Sequence, residues 1–313
     1  MEQLDMTTSR YHFASTSLPL VDVSKSSGLC YLEHEGARLA FDFEPTSSSL
    51  QASQLLVLVN GFARPRSDFR AFRKRIHAQM PQLATLALDN RGAGDTEGGL
   101  EELSVQRMAL DAAYLAQVHS SQLQLSGYHI LGISMGGMIC QQWACEDSKV
   151  KSLALVSTTP GGDARVWPPG VDQETARKKP FEAWPHDQET MHKRMVRYFG
   201  PKFRKLSPLL IEMMVRNMLK SQSESEAQSR ARAQYDATLG FDGTQCVTKI
   251  ACPTLVLTGS DDEIIPSGNA DALCRLISQA KKVVFPEMGH LLLIEDPENF
   301  VAQVRSFLEG VPG

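Results

Sequence analysis

His129-Ile130-Leu131-Gly132-Ile133-Ser134-Met135-Gly136-Gly137-Met138-Ile139-Cys140 is the stretch on which the fold turns. An apolar run leads into a serine with glycine two positions to either side, and a second apolar segment follows. The pattern Gly132-x-Ser134-x-Gly136 predicts a strand that turns sharply into a helix, with the serine at the corner. Such a corner needs Gly132 and Gly136, because side chains there would collide with neighbouring backbone. The serine hydroxyl is then exposed at a helix N-terminus, where developing negative charge is stabilised. Three fixed positions in five also arise by chance in loops, so the strand before and the helix after carry the weight.

Working outward, two later segments supply partners for a serine nucleophile. Thr254 to Leu257 runs into Thr258-Gly259-Ser260-Asp261-Asp262-Glu263-Ile264-Ile265-Pro266, which places a carboxylate just past a buried strand. Asp262 is the expected acid, with Asp261 and Asp163 as competitors. Lys282 to Phe285 leads through Pro286-Glu287-Met288 to Gly289-His290, a histidine in the loop after the last strand. The order Ser134, Asp262, His290 is the one this kind of elbow requires. A serine hydroxyl attacks only when a base takes its proton. Imidazole titrates near neutrality and can return that proton to the leaving group, while a carboxylate fixes its tautomer. His12, His34 and His186 fall in expected loops and read as solvated.

Continuous apolar runs bounded by turn residues suit strands buried on both faces. They occur at 55–59, 83–88, 128–133, 152–156, 253–257 and 282–285, after a hairpin signal at 29–33 and 38–43 around His34-Glu35-Gly36. Helical patterns lie between most of them, at about 67–79, 102–119, 135–146, 267–278 and 296–309. Strands alternating with helices imply a mostly parallel sheet covered on both faces. Between Val156 and Pro253 no strand is convincing. The expected division is a loose N-terminal arm at 1–27, a core at 28–159 and 246–313, and a helical lid at 160–245. That lid would cover the strand ends at which open α/β sheets bind ligands.

Bulk properties narrow the function classes. The chain has 313 residues, 42% hydrophobic and 22% charged, the mix of an ordinary globule. A net charge of −4 and a pI near 6.1 give no reason to expect nucleic acid as a partner. Six cysteines lack the clustered spacing of a metal site, so no metal or cofactor is expected and the cysteines read as free thiols. Glu2 and Asp5, with no apolar stretch after them, argue against a secretory signal. Leu55 to Val59 is too short to cross a bilayer. Together these features predict a cytoplasmic protein acting on a small molecule, with the oligomeric state unread.

The Gly-Ile-Ser-Met-Gly-Gly elbow at 132–137, Gly259-Ser260-Asp261-Asp262-Glu263-Ile264-Ile265-Pro266 and Gly289-His290 resemble the α/β-hydrolase superfamily. Asp89-Asn90-Arg91-Gly92-Ala93-Gly94 resembles the segment that follows its fourth strand. The resemblance spans roughly residues 28 to 310. It implies an α/β-hydrolase fold: a mostly parallel eight-stranded sheet, helices on both faces, and a helical cap inserted after strand six. It also implies an oxyanion hole made by the backbone N–H groups of Phe62 and Met135. Two departures stand out. Asn60-Gly61 replaces the usual His-Gly, so Asn60 either alters loop rigidity or contacts substrate; Thr96 replaces the usual Ser. Arg91 reads as a structural brace, whereas Arg64 and Arg66, just past the oxyanion loop, read either as exposed, solvated arginines or as groups that meet an anionic substrate.

Residues 160–245 carry 14 Lys+Arg and 11 Asp+Glu, so 14 − 11 = +3 in a chain whose total is −4. Leu209, Leu210, Met213, Met214 and Met218 recur at helical spacing. They predict an apolar stripe that either packs on the core or lines an acyl pocket, with Met213 and Met214 as candidate contacts. The favoured activity is hydrolysis of a small or medium carboxylic ester through an acyl-enzyme; lactones and thioesters use the same machinery. Branches that cleave carbon–halogen bonds or epoxides use aspartate where this chain has Ser134. Three alternatives stay open: a lyase or C–C hydrolase with the same triad, a proline-releasing aminopeptidase, and a small-molecule sensor with slow turnover.

Overall fold

The computed structural model describes residues 18–24, 28–46, 51–178, 187–221 and 225–311. His12, His186 and most of the expected N-terminal arm lie outside the described residues.

Eight main strands follow the chain as β1 (Cys30–His34), β2 (Ala37–Glu44), β3 (Gln54–Val59), β4 (Leu83–Leu88), β5 (Tyr128–Ile133), β6 (Val150–Val156), β7 (Thr254–Gly259) and β8 (Ala280–Phe285). In space they run β1-β2-β4-β3-β5-β6-β7-β8. β1/β2 and β2/β4 are antiparallel; every later pair is parallel. A ninth strand of two residues, Glu97–Gly98, pairs with Ala37 and Arg38 of β2. It is too short to show a period and was not expected.

The central strands are apolar throughout because both faces are covered. Along β3, Leu55, Val57 and Val59 enter one core cluster while Leu56 and Leu58 enter the other, as the two-residue side-chain alternation of a strand dictates. The first cluster packs under α2 (Val105–Gln122) and α3 (Met135–Ala144), through Met108, Ala112, Leu115, Ile139 and Trp143. The second packs under α1 (Arg70–Gln79) and the C-terminal helix Pro297–Glu309, through Phe72, Ile76, Phe300 and Val304. Each fully buried side chain of this kind contributes about 1.5–3 kcal/mol. At the sheet edge, β8 keeps Lys281 and Lys282 exposed, a usual guard against further strand pairing.

Between β6 and β7 lie α4 (Gln173–Lys178), α5 (Gln188–Val196), α6 (Pro201–Leu206), α7 (Pro208–Ser221), α8 (Ser225–Leu239) and α9 (Thr244–Val247). After β7 come α10 (Gly268–Leu276), α11 (Leu292–Glu295) and α12 (Pro297–Glu309). Met191, Met195, Phe199, Phe203, Ile211, Val215 and Met218 form a third cluster, packed against Phe62, Ala63, Leu291 and Ile294 of the core loops. The buried stripe of α7 is therefore Ile211, Val215 and Met218. Leu209 and Met213 of the expected stripe are 83% and 51% exposed. Sequence spacing gives the period of a stripe, but which face is buried depends on what the helix rests on.

Two further expectations are corrected. Cys145, just after α3, and Cys246, in α9, form a disulfide across 101 positions. The all-free-thiol reading falls, and with it one of the grounds for expecting a cytoplasmic location. Among the described residues, no helix is long and apolar enough to cross a membrane. His34 is buried at the end of β1: Nδ1 lies 2.8 Å from Asp111 Oδ1 and the ring stacks on Tyr114.

Candidate active site

β5 delivers Ser134 to the C-terminal edge of the sheet at φ 55° and ψ −118°, a strained conformation for a side-chain-bearing residue. The surrounding backbone forces small residues. A Cβ on Gly132 would stand 2.2 Å from Gly136 O, and one on Gly136 would stand 2.1 Å from Val59 O. Ser134 N–H donates to Val156 O at 2.8 Å, and Thr158 Oγ1 donates to Ser134 O at 2.7 Å, which anchors the corner to the neighbouring strand. Met135 opens α3, so its amide is one of the first-turn donors for which a helix has no internal acceptor.

His290 and Asp262 come from the loops after β8 and β7. His290 Nδ1 lies 2.8 Å from Asp262 Oδ2, with both side chains almost fully buried. Asp262 Oδ1 accepts from the N–H groups of Ile264 and Ile265 at 2.8 and 2.9 Å, which locks the carboxylate plane. A carboxylate only accepts, so Nδ1 carries the ring proton and Nε2 holds the lone pair. Asp261 is exposed and accepts from Ser260 Oγ instead. Asp163 sits in an exposed turn away from the cavity.

Ser134 and His290 open into one cavity of about 200 Å³, which Phe62 and Met135 also line. Its walls are mainly apolar, with Ile133, Met138, Met195, Met218, Leu293 and Ile294 among them. Met213 and Met214 do not reach it. Asn60 lines the cavity, but its side chain is engaged by the loop. Oδ1 accepts from Gly61 N–H at 2.8 Å, and Nδ2 donates to Pro65 O at 2.8 Å and Asp68 Oδ2 at 3.2 Å. Asn60 thus braces the loop that follows β3. Arg64 donates to Asp68 at 2.6 Å. Arg66 is buried among Asp42, Asp89 and Asp95, and Arg91 forks onto Asp111 at 2.6 and 2.8 Å; both are braces.

Several residues that support the site carry no signal in the sequence. Gln234 of α8, wholly buried, accepts from Ala63 N–H at 2.7 Å and donates to Arg91 O at 2.6 Å. Tyr198 O, in the segment before α6, accepts from His290 N–H at 2.8 Å, and the two rings meet edge to face. Glu295 accepts from Gly200 N–H at 2.7 Å and from Gly289 N–H at 3.0 Å; burial pushes its carboxyl pKa up. Backbones cross closely here: a Cβ on Gly200 would stand 2.1 Å from Glu287 O. The segment between β6 and β7 therefore contacts both the loop that carries His290 and the loop that follows β3.

An elbow serine, a buried His–Asp pair and a doubly covered parallel sheet define a serine-hydrolase architecture. The family model described as "alpha/beta hydrolase fold" matches residues 54–297, and the chain belongs to that family. The chain is 27% identical to a pimeloyl-[acyl-carrier protein] methyl ester esterase of Chromobacterium violaceum, over 64% of this chain and 76% of that one. It is 29% identical to a poly(3-hydroxyalkanoate) depolymerase of Ectopseudomonas oleovorans, over 75% and 78%. Its fold is similar to the solved structure of an alpha/beta hydrolase enzyme from a Medee basin deep-sea metagenome library. That likeness has a TM-score of 0.73 at 18% identity and covers 91% of this chain and 98% of that one.

Proposed function

We infer that the chain is a carboxylic ester hydrolase that acts on a small or medium ester through an acyl-enzyme. The observation that carries this reading is the 2.8 Å contact of Asp262 with His290, the histidine that lines the same cavity as Ser134. Ser134 Oγ attacks the ester carbonyl carbon while His290 Nε2 takes its proton. The Phe62 and Met135 N–H groups hold the resulting oxyanion, a role that asks nothing of their side chains. The carbon–oxygen bond to the alcohol breaks as His290 returns the proton to the leaving oxygen. Water, deprotonated by His290, then attacks the acyl-serine, releases the carboxylic acid and restores Ser134.

The names of the relatives support ester hydrolysis. Substrate size is supported by the cavity, whose 200 Å³ falls below the usual range for drug-sized ligands. The helices between β6 and β7 act in this reading as a cap, since their side chains form part of the cavity wall.

The test pairs fluorophosphonate labelling with turnover of p-nitrophenyl esters from acetate to laurate, on wild type and Ser134→Ala. Labelling and turnover that both vanish in the variant are expected, with the chain-length optimum among the shorter esters. Labelling without turnover of any ester would favour the lyase or sensor alternatives. A folded wild type that does not label would sink the serine-hydrolase mechanism.

A further inference from the structure

The cavity is mainly apolar, yet three arginines line it: Arg64, Arg165 and Arg194. Arg64 has its acid in Asp68, and Arg194 is engaged as well. Arg165 differs from both. It lies in the segment that leaves β6 for the inserted helices, just after the turn Gly162–Ala164. Its guanidinium carbon stands 3.9 Å over the ring of Trp167, which covers one face of the plane. No carboxylate among the described residues lies within ion-pair distance of it. Burial pushes its pKa down to about 10, against a smaller raising effect from Tyr235, another cavity residue.

A desolvated cation without a counter-ion is costly, and that cost is offset when a ligand brings the missing charge. Stacking on an aromatic ring holds a guanidinium flat and leaves its edge donors available. A planar two-oxygen acceptor matches that fork best. We propose that Arg165 is a binding site for a carboxylate on the substrate, distinct from the ester group that Ser134 attacks. The favoured substrate is then a half-ester of a dicarboxylic acid or a similar acidic ester. A phosphate dianion fits less well, because the cavity's other arginines are already engaged. This inference deepens the esterase reading and rests on it for the identity of the reacting group.

Two measurements test it. In the first, p-nitrophenyl half-esters of succinate, glutarate and adipate are compared with their neutral methyl-capped counterparts, in wild type, Arg165→Met and Arg165→Lys. The ratio of kcat/KM, acidic over neutral, should exceed about tenfold in wild type for at least one chain length. It should collapse toward unity in Arg165→Met, mainly through KM, and recover in part in Arg165→Lys. A wild-type ratio of one or less at every length, or an unchanged ratio in Arg165→Met, overturns the proposal.

The second measurement does not depend on turnover. Calorimetric binding of monomethyl succinate, monomethyl glutarate and monomethyl adipate to Ser134→Ala should weaken at least about tenfold for one of them when Arg165→Met is added. Equal binding at every length overturns the proposal. Binding that depends on Arg165, in a protein that turns over no ester, would sink the esterase reading and leave the anion site standing.

Discussion

Gln234 and Ala63 are 171 positions apart in sequence and joined by a 2.7 Å hydrogen bond, in which the Gln234 side-chain oxygen accepts from the Ala63 backbone N–H. Ala63 follows Phe62 and has φ 53°, so this contact holds a strained turn directly beside the proposed oxyanion donor. The same amide donates to Arg91 O, so one side chain of α8 spans the loops after β3 and β4.

Replacing Gln234 with Leu keeps the approximate volume but leaves the Ala63 N–H and the Arg91 carbonyl without their partner. We expect kcat to fall roughly 10- to 100-fold, because a loop displaced by about 1 Å no longer presents its donors to the oxyanion. Stability should fall by about 1–3 kcal/mol for each buried group left unpaired. Steady-state kinetics and urea unfolding read the two effects separately. Wild-type kcat in the variant would dismiss the coupling.

Asp262 and Asp261 are adjacent in sequence but differ in surroundings. Asp262→Asn should lower kcat roughly 10³- to 10⁴-fold, since an amide there favours the wrong imidazole tautomer. Asp261→Asn should change kcat less than about threefold, as expected of an exposed group away from the reacting atoms. Comparable losses in both variants would contradict the assignment of Asp262 as the orienting acid.

The Cys145–Cys246 bridge ties the end of the helix that follows Ser134 to the point where the inserted helices return to the core. Closing a loop that spans 101 positions restricts the unfolded chain, so the bond should stabilise the fold by about 2–4 kcal/mol. The urea midpoint should drop by a corresponding amount on reduction, or in the Cys145→Ser, Cys246→Ser double variant. Identical midpoints for the oxidised and reduced protein would show that the bridge contributes nothing.

Acid should weaken the fold through two buried histidines. Burial pushes the pKa of His119 down to about 4 even though its Nδ1 meets Leu115 O at 2.7 Å. Burial and then nearby Lys151 push His129 to about 4 as well. Because both lie below the ordinary histidine value near 6.5, the folded state binds fewer protons than the unfolded one. Their contribution is full above pH 6.5 and is lost as pH falls toward 4. The slope approaches about 1.4 kcal/mol per pH unit for each histidine. Urea titrations at pH 7, 6 and 5 should show the decline, and His129→Gln should shallow it. A midpoint that is flat over that range would refute this source of acid sensitivity.

Much of this protein is determined by its sequence alone. The buried strands are legible because a strand covered on both faces must be apolar at every position, and Leu83–Leu88 and Tyr128–Ile133 match their expected limits. The elbow is legible because Gly132 answers a contact made four residues on, with Gly136 O, whereas Gly136 faces Val59 O, which only the fold brings near. Chain order alone sets Asp262 and His290 after successive strands, since a parallel sheet returns each loop to the same edge. What tertiary structure decided are the partners that meet across the fold. His34 reads as a turn residue until Asp111, 77 positions later, is packed against it. Arg64 reads as a free cation until Asp68 takes it, whereas Arg165, which has no signature, lines the same cavity without a carboxylate partner among the described residues. Met213 gives way to Met218 at the cavity because a stripe's period is local but its phase is set by what the helix rests on. Periodicity and steric need act over a few residues and are written in the chain. Pairings such as Gln234 with Ala63, or Cys145 with Cys246, exist only once the inserted helices fold back over the core.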